Sequence, residues 1–223
     1  MKADWLALDN TWEIIGLIAV VVVIRYLLTA IPPLRRIRAA GLEFADSALI
    51  AVLLVFCLIR PFFIQAFFIP STSMEPTLLK HDRILVNKLV YRLRNPEPGD
   101  IVVFKAPPAA SEEEKDFIKR CVGVEGQRVE IREYQLYRDG KLINEPYARK
   151  PDDEEWHLPN YQPIPPGMML VFGDNRANSN DARKWMRQTP QGTLEPAPFL
   201  PRENVLGKAM LIFWPPSRVR LLH

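Results

Sequence analysis

An apolar run at residues 11–31 is the feature of this sequence that most constrains its fold. Residues 14–24 carry no charged side chain, and Arg25 is the first charge after them. A helix of about 20 apolar residues crosses the hydrocarbon core of a bilayer, and an arginine near its end can reach the headgroups. The first 13 residues hold three acidic side chains and one lysine, the opposite of a cleaved secretory leader. We therefore predict an N-terminal tail, residues 1–10, and a retained transmembrane helix over residues 11–31.

A second apolar run, residues 44–61, leads directly into a group of aromatic residues. Its uncharged stretch, residues 47–59, is short for a membrane span, so on length alone a buried core helix is an open alternative. Four phenylalanines within residues 62–68 suit the interface between lipid and water. We predict a second transmembrane helix over residues 44–61, ending near Pro61 because proline interrupts a helix.

Three arginines mark the segment between the two runs. Arg35, Arg36 and Arg38 lie within residues 32–43. Short loops rich in lysine and arginine stay on the cytoplasmic side of a membrane. We therefore predict a basic cytoplasmic loop over residues 32–43, and we expect residues 62–223 to face the outer side of the cytoplasmic membrane, in contact with its lipid.

Residues 62–223 have the pattern of a mainly β domain rich in loops. Short runs of β-branched and apolar residues recur, such as residues 99–104 and 207–213, and Asp139-Gly140 is a typical hairpin turn between two of them. Residues 186–201, which contain four prolines and a glycine, indicate an exposed loop. The net charge of +3 is small, so no nucleic-acid partner is expected.

A pair of serines follows the second apolar run. The segment PSTSMEPTL, residues 70–78, places Ser73 between two prolines, which cannot donate backbone hydrogen bonds and which fix their own φ. The segment is therefore a rigid loop that presents Ser73. A capped turn without chemistry is the alternative, because serine and threonine are common in turns.

A nucleophilic serine needs a base, and Lys119 is the best candidate. The three histidines, His81, His157 and His223, lie in no recognisable motif and are expected at the surface. Lys119 belongs to the strand-like run FIKRCVG, residues 117–123. Burial among apolar groups lowers the pKa of a lysine and produces the neutral amine that a base requires. An ordinary surface lysine on a strand is the alternative.

A dense polar segment follows the apolar run MMLVF. It reads GDNRANSNDAR, residues 173–183, and could be a solvated loop or the source of hydrogen-bond partners for a neutral lysine. The sequence contains no cluster of metal-binding residues with ligand spacing, so we expect neither a metal nor an organic cofactor.

Four segments in this order resemble bacterial type I signal peptidase, the leader peptidase. They are PSTSMEPTL at 70–78, GDIVVF at 99–104, IKRCVG at 118–123, and GDNRANSNDAR at 173–183. Two preceding membrane anchors also fit that family. The resemblance implies two N-terminal transmembrane helices followed by a mainly β catalytic domain with the signal-peptidase-like fold.

The resemblance implies a role for each matching position. Ser73 matches the nucleophile and Lys119 the general base of a Ser–Lys dyad. Ser71 matches the hydroxyl that forms the oxyanion hole with the backbone N–H of Ser73. The positions that match groups orienting and supporting the lysine amine are Ser179, Asp181 and Arg183.

The resemblance also implies the substrate, which is a preprotein cut after small residues of the Ala-x-Ala type. The apolar residues expected to line small, shallow pockets for it are Phe67, Ile69, Met74 and Ile118. Such a peptide would bind as an added strand at a sheet edge. We expect the enzyme to be a monomer. Two other functions stay open here, a soluble Ser–Lys protease that cleaves itself and a non-catalytic β domain tethered to the membrane.

The charge asymmetry around the two apolar runs makes topology testable. Reporter fusions at residue 40 and at residue 110 should report opposite compartments, cytoplasmic and external respectively, because arginine-rich loops are retained inside. Activity of both fusions in the same compartment would contradict the two-span topology.

Overall fold

The computed structural model describes residues 11–30, 38–54, 63–149 and 163–222. The predicted tail and the histidines His157 and His223 lie outside the described residues. The chain divides into two compact units, with the boundary between Ala66 and Phe67.

The first unit contains helices α1, Thr11–Ala30, and α2, Arg38–Leu53. Helix α1 coincides with the first predicted span to within one residue. Helix α2 begins six residues before the predicted start at 44, so part of the predicted loop is helical, because Ala39 and Ala40 favour helix and no proline intervenes. Among the described residues, no helix is both long and apolar enough to cross a membrane. The two membrane spans therefore stay predictions.

The second unit is mainly β, in agreement with the prediction. Its described residues also form one short α-helix, α3, Val90–Leu93, and two 3₁₀ helices, Arg202–Asn204 and Pro216–Arg218. The described strands are β1 Ile64–Phe68, which spans the boundary between the units, β2 Arg83–Asn87, β3 Ile101–Lys105, β4 Asp116–Val124, β5 Val129–Arg132, β6 Gln135–Arg138, β7 Lys141–Leu142, β8 Met168–Phe172, β9 Met186–Gln188, β10 Leu194–Pro196, β11 Leu200–Pro201, β12 Val205–Trp214 and β13 Arg220–Leu221.

One large sheet carries the fold. Its strand order is β1-β2-β12-β3-β4-β8-β11, and β13 pairs with β12. Strands β2, β12, β3, β4 and β8 pair antiparallel with their neighbours. Gly207 lies on β12 next to the residue that pairs with Asn87 of β2, and a Cβ atom there would approach the carbonyl oxygen of Asn87 to 2.5 Å. Only glycine permits that approach of the two backbones.

The large sheet is buried on both faces. In β3, Val102 and Phe104 pack into one apolar cluster, while Ile101 and Val103 pack into the other. A strand covered on both sides is apolar at every position rather than at alternate ones. This explains the uninterrupted IVVF run in the sequence.

Two smaller sheets complete the unit. Strands β5, β6 and β7 form one, and the Asp139-Gly140 pair makes the predicted turn between β6 and β7, with φ of 52° and 76°. Strands β9 and β10 form a hairpin within residues 186–201, where the sequence predicted a loop. The hairpin strands have three residues each and are exposed, so they have no alternating pattern to reveal them.

Candidate active site

Ser73 lies in the serine loop, residues 69–82, which joins β1 to β2. The loop is anchored by three side chains of the second apolar cluster, Ile69, Met74 and Leu78, which are 2%, 0% and 0% exposed. Backbone hydrogen bonds from Glu75 N to Thr72 O and from Leu78 N to Met74 O, 3.1 and 2.9 Å, close two turns around the serine. The backbone on both sides of Ser73 is therefore held by the core.

Lys119 reaches Ser73 from the middle of β4. Its Nζ atom lies 2.9 Å from Ser73 Oγ, although the two residues are 46 positions apart in sequence. The same Nζ donates to the carbonyl oxygen of Ile118 at 2.9 Å and lies 5.4 Å from the centre of the Phe117 ring. Lys119 is 4% exposed and Ser73 is 8% exposed. The two candidate residues thus form a contacting pair shielded from bulk water.

The environment of Lys119 favours its neutral form. Burial lowers the pKa of the amine to about 8, and the carboxylates of Asp181 and Asp174 oppose that shift without cancelling it. A buried ammonium loses its hydration, so the uncharged amine gains relative to it. A substantial fraction of Lys119 can therefore be neutral under mildly alkaline conditions.

The two other predicted serines, Ser71 and Ser179, both lie near Ser73. Ser71 Oγ is 3.2 Å from Ser73 Oγ, and Ser71 is exposed. Ser179 is buried, and its hydroxyl has no partner in hydrogen-bonding geometry within the described ranges, although it contributes to lowering the pKa of the nearby Asp181. A Cβ atom at Gly173 would lie 2.3 Å from Ser179 Oγ and 2.4 Å from Ser73 O. Gly173 therefore permits this close packing.

Asp181 and Arg183 form a buried ion pair at the base of the polar loop, residues 173–183. Arg183 donates through Nε and Nη2 to the two carboxylate oxygens of Asp181, each at 2.8 Å. The backbone N–H of Gly173 donates to the same carboxylate at 2.9 Å. Burial alone would raise the pKa of Asp181, but these contacts outweigh it and hold the pKa below its usual value. Asp181 is therefore an ionised, immobile group next to the lysine.

The polar loop also holds the serine loop directly. Asn175 donates through its backbone N–H to Ser73 O and through Nδ2 to Thr72 O, both at 3.1 Å. Asn178 Nδ2 donates to Thr72 Oγ1, also at 3.1 Å. Neither asparagine was predicted from the sequence. The density of amides in residues 173–183 was the only signal that could have indicated them.

A second buried ion pair joins β4 to the polar loop. Arg120 donates through Nε and Nη2 to the Asp174 carboxylate at 2.9 and 2.8 Å. Thr77 Oγ1 donates to the same carboxylate at 2.5 Å. Asp174 thus connects β4, the polar loop and the serine loop at one point.

The predicted pocket residues divide into two groups. Phe67 and Ile118 are half-buried and pack beside the second apolar cluster. Ile69 and Met74, in contrast, are core residues of that cluster. Their side chains anchor the serine loop and have almost no free surface, and their contact with substrate stays a prediction. Across the described ranges, no three His, Cys, Asp or Glu side chains come together in a way that could hold a metal ion.

Comparisons with known proteins agree on one family. A family model described as signal peptidase, peptidase S26, matches residues 41–214. Two proteins of Synechocystis sp., named probable signal peptidase I-2 and I-1, are 40% and 38% identical to this chain; they cover 81% and 76% of it, and 77% and 82% of their own lengths. A signal peptidase I of Mycobacterium tuberculosis is 35% identical over 79% of this chain and 73% of its own length.

Lys119 should make stability depend on pH. Its pKa falls from 10.5 to about 8 on folding, so the unfolded chain binds the proton more tightly than the folded chain. Lys119 therefore lowers the free energy of unfolding most below about pH 8, where the amine is protonated in both states. We expect Lys119→Met to raise the free energy of unfolding at pH 7 by about 2 to 4 kcal/mol. The gain should shrink as the pH rises from 8 towards 10.5, when measured by denaturant unfolding of the full chain in detergent.

The matched control is Lys105→Met, which changes an exposed lysine on β3. It should alter the free energy of unfolding little and by the same amount at every pH. Identical pH dependence for the two variants would show that folding does not lower the pKa of Lys119.

Proposed function

The chain belongs to the signal peptidase family, peptidase S26, and is a serine endopeptidase that cleaves signal peptides from preproteins; we propose that Ser73 is its nucleophile and Lys119 its general base. The observation that carries the proposal is the 2.9 Å contact between Lys119 Nζ and Ser73 Oγ in a buried site. A hydroxyl becomes a competent nucleophile when a neutral base within hydrogen-bond reach accepts its proton.

The proposed reaction has two halves. Neutral Lys119 accepts the proton of Ser73 while Ser73 Oγ forms a bond to the carbonyl carbon of the scissile peptide. The lysine then returns this proton to the leaving amine as the C–N bond breaks, which leaves an acyl ester on Ser73. In the second half, water gives a proton to Lys119 while its oxygen forms a bond to the ester carbon. The Lys119 ammonium then returns that proton to Ser73 Oγ as the ester C–O bond breaks, which releases the leader peptide and regenerates the hydroxyl and the neutral amine.

Charge on the carbonyl oxygen needs donors during both halves. We assign this role to the Ser71 hydroxyl and the backbone N–H of Ser73. The position of Ser71 Oγ, 3.2 Å from Ser73 Oγ, supports the assignment because the oxyanion forms next to the attacking atom. The backbone of Ser73 is already fixed by the bond from Asn175, so its N–H need not reorganise when charge develops.

The supporting residues act on the lysine. Ser179 packs against Gly173 beside the catalytic pair, and its hydroxyl is available to hold the lysine amine as the proton moves. Asp181, fixed by Arg183, places a negative charge near the amine and stabilises the ammonium formed after proton transfer. The ammonium is thereby kept within reach of the leaving group.

The substrate would bind as an extended strand along β4. Strand β3 pairs with residues 116–120 of β4, whereas β8 pairs with β4 only from Arg120 onward. Among the described strands, none therefore pairs with the β8-facing edge of residues 116–119, which ends at Lys119. An added strand on such an edge gains backbone hydrogen bonds. Half-buried Phe67 and Ile118 are the predicted pocket residues with surface available to the small side chains before the cut.

We further propose that the enzyme is held in the cytoplasmic membrane by both apolar runs, acts on the outer side and works as a monomer. Arginines between the runs support this orientation. Ser73 lies only 13 residues beyond Arg60, which would keep the site near the lipid surface where a leader peptide emerges.

The catalytic pair is tested by substitution. Ser73→Ala should reduce cleavage of a purified preprotein by about 10⁴-fold or more, because the nucleophile is lost. Lys119→Arg should be nearly as inactive, since arginine stays charged at any useful pH. In the wild type, kcat/KM should rise with pH through a pKa of about 8, as expected for a base that must be neutral.

The matched control is His81→Asn, which keeps a residue that tolerates the φ of 75° at this position. It should retain most of the activity. A folded Lys119→Ala variant with near-normal rates, or loss of activity in the folded His81 variant, would show that the base is assigned wrongly.

Specificity is tested on the substrate. A preprotein with alanine at the first and third positions before the cut should be processed, whereas phenylalanine at the first position should lower kcat/KM by about 100-fold because a small pocket excludes the ring. Phenylalanine at the second position serves as control and should be tolerated, since alternate side chains of a bound strand point away from the pockets. Equal processing of both phenylalanine substrates would contradict a small-residue pocket.

A further inference from the structure

A short segment outside the four sequence motifs contacts both β4 and the polar loop. We call residues 145–149, which follow β7, the brace segment. It makes three independent contacts with β4 and the polar loop, two through side chains and one through the backbone. The proposed mechanism assigns it no role.

The first contact is a buried ion pair. Glu145 accepts hydrogen bonds from Nη1 and Nη2 of Arg176 at 2.8 and 2.6 Å, and the two side chains are 5% and 0% exposed. Arg176 also donates through Nε to Gly173 O at 2.9 Å. Burial would lower the pKa of Arg176, but the bonds to Glu145 outweigh it and keep the pKa above its usual value. Glu145 therefore fixes an arginine that in turn holds the first residue of the polar loop.

The second contact is a stacked ring. The guanidinium carbon of Arg120 lies 3.8 Å from the centre of the Tyr147 ring, and the Tyr147 hydroxyl donates to Glu145 at 3.0 Å. Arg120 is the partner of Asp174 and is 3% exposed. The ring covers the face of the guanidinium and limits its motion and its access to water.

The third contact is a parallel backbone bridge between Arg149 and Asn175. The Arg149 N–H donates to Asp174 O at 2.8 Å, and Arg149 O accepts from Arg176 N–H at 2.9 Å. The bridged residue, Asn175, is the one whose own N–H holds Ser73 O. The brace segment is thus two hydrogen bonds away from the nucleophile.

We propose that the brace segment is a positioning element of the peptidase, in which Tyr147 and Glu145 hold the polar loop against Ser73. The proposal rests on the proposed function of Ser73 and Lys119. Tyr147 keeps Arg120 paired with Asp174 and shields the pair from water. Glu145 fixes the start of the polar loop through Arg176. The backbone of Arg149 aligns Asn175. When the brace loosens, the polar loop moves away from the pair and water enters beside Lys119.

The charges facing Lys119 determine the direction of the expected effect. Asp181 and Asp174 act on the amine, and each carboxylate is paired with an arginine, Arg183 and Arg120 respectively. Loosening Arg120 exposes more of the Asp174 charge and lessens the burial of the amine. Both changes favour the ammonium, so the pH at which the base becomes neutral rises.

The experiment compares Tyr147→Leu with Tyr147→Phe in the full-length enzyme. The phenylalanine variant keeps the stacked ring and should differ from the wild type by less than about threefold in kcat/KM, since Glu145 loses one hydrogen bond but keeps both bonds from Arg176. The leucine variant should lose about tenfold in kcat/KM, mainly through kcat. The acidic limb of its profile of kcat/KM against pH should move up by about half a pH unit. A merely structural role would lower the amount of folded enzyme without moving the pH profile.

A second pair tests the backbone bridge and remains informative if Tyr147→Leu does not fold. Arg149→Pro removes the N–H that donates to Asp174, whereas Arg149→Ala removes only an exposed side chain. The alanine variant should behave as the wild type, and the proline variant should reproduce the loss in kcat and the shift in the pH profile. Asn144→Ala, at an exposed neighbour, controls for general disturbance of the segment.

The outcomes separate this proposal from the one on which it rests. An acidic limb near pH 8 in the wild type that stays in place in folded Tyr147→Leu and Arg149→Pro would overturn the brace and leave the Ser–Lys pair intact. Cleavage by Lys119→Ala with an unchanged profile would instead overturn the assignment of the base. Equal losses in Tyr147→Phe and Tyr147→Leu would also contradict the brace, because the stacked ring would then have no effect.

Discussion

The contact between Lys119 and Ser73 depends on two requirements. The lysine must be shielded from water, and its amine must still have hydrogen-bond partners. The main sheet meets the first requirement, since β4 is an inner strand and Lys119 is 4% exposed. Ser73 Oγ and Ile118 O meet the second, because each lies 2.9 Å from Nζ. Burial of such a group costs stability, and a protein retains that cost where function needs the shifted pKa. The rest of the domain maintains this one environment.

The large sheet, which is buried on both faces, maintains the environment of Lys119 and Ser73. One cluster lies under the serine loop, with Met74 and Leu78 fully buried, and the other contains Phe172, at the end of the strand that leads into the polar loop. The serine loop and the polar loop thus extend from separate apolar clusters, and both contact β4. Hydrogen bonds from Asn175 to the serine loop join them. A sheet packed on one face only would anchor one of these loops and leave the other to solvent.

The sequence predicted the mainly β class, the hairpin at Asp139-Gly140 and the residues that meet at Ser73, because tight turns and short motifs leave local signals. It did not predict how the loops are joined. Asn175 Nδ2 donates to the carbonyl of a residue 103 positions away, and an ion pair such as Arg120–Asp174 spans 54 positions. Contacts of this kind follow from topology and have no periodicity. The anchoring role of Ile69 and Met74 was not predicted for a related reason, since apolar residues beside a candidate nucleophile suit a pocket and a loop anchor equally well.

The buried charges around the site are arranged so that burial, and not the nearby carboxylates, sets the direction of the Lys119 pKa shift. Three carboxylates, those of Asp174, Asp181 and Glu145, are each held by the two-pronged donation of an arginine. Buried ion pairs of this kind contribute little net stability, but breaking one leaves an uncompensated charge. Here pairing has a second consequence, because a carboxylate neutralised by its own arginine attracts the Lys119 ammonium less strongly. The two aspartates near the amine can therefore orient the loop, while the pKa of Lys119 still falls to about 8.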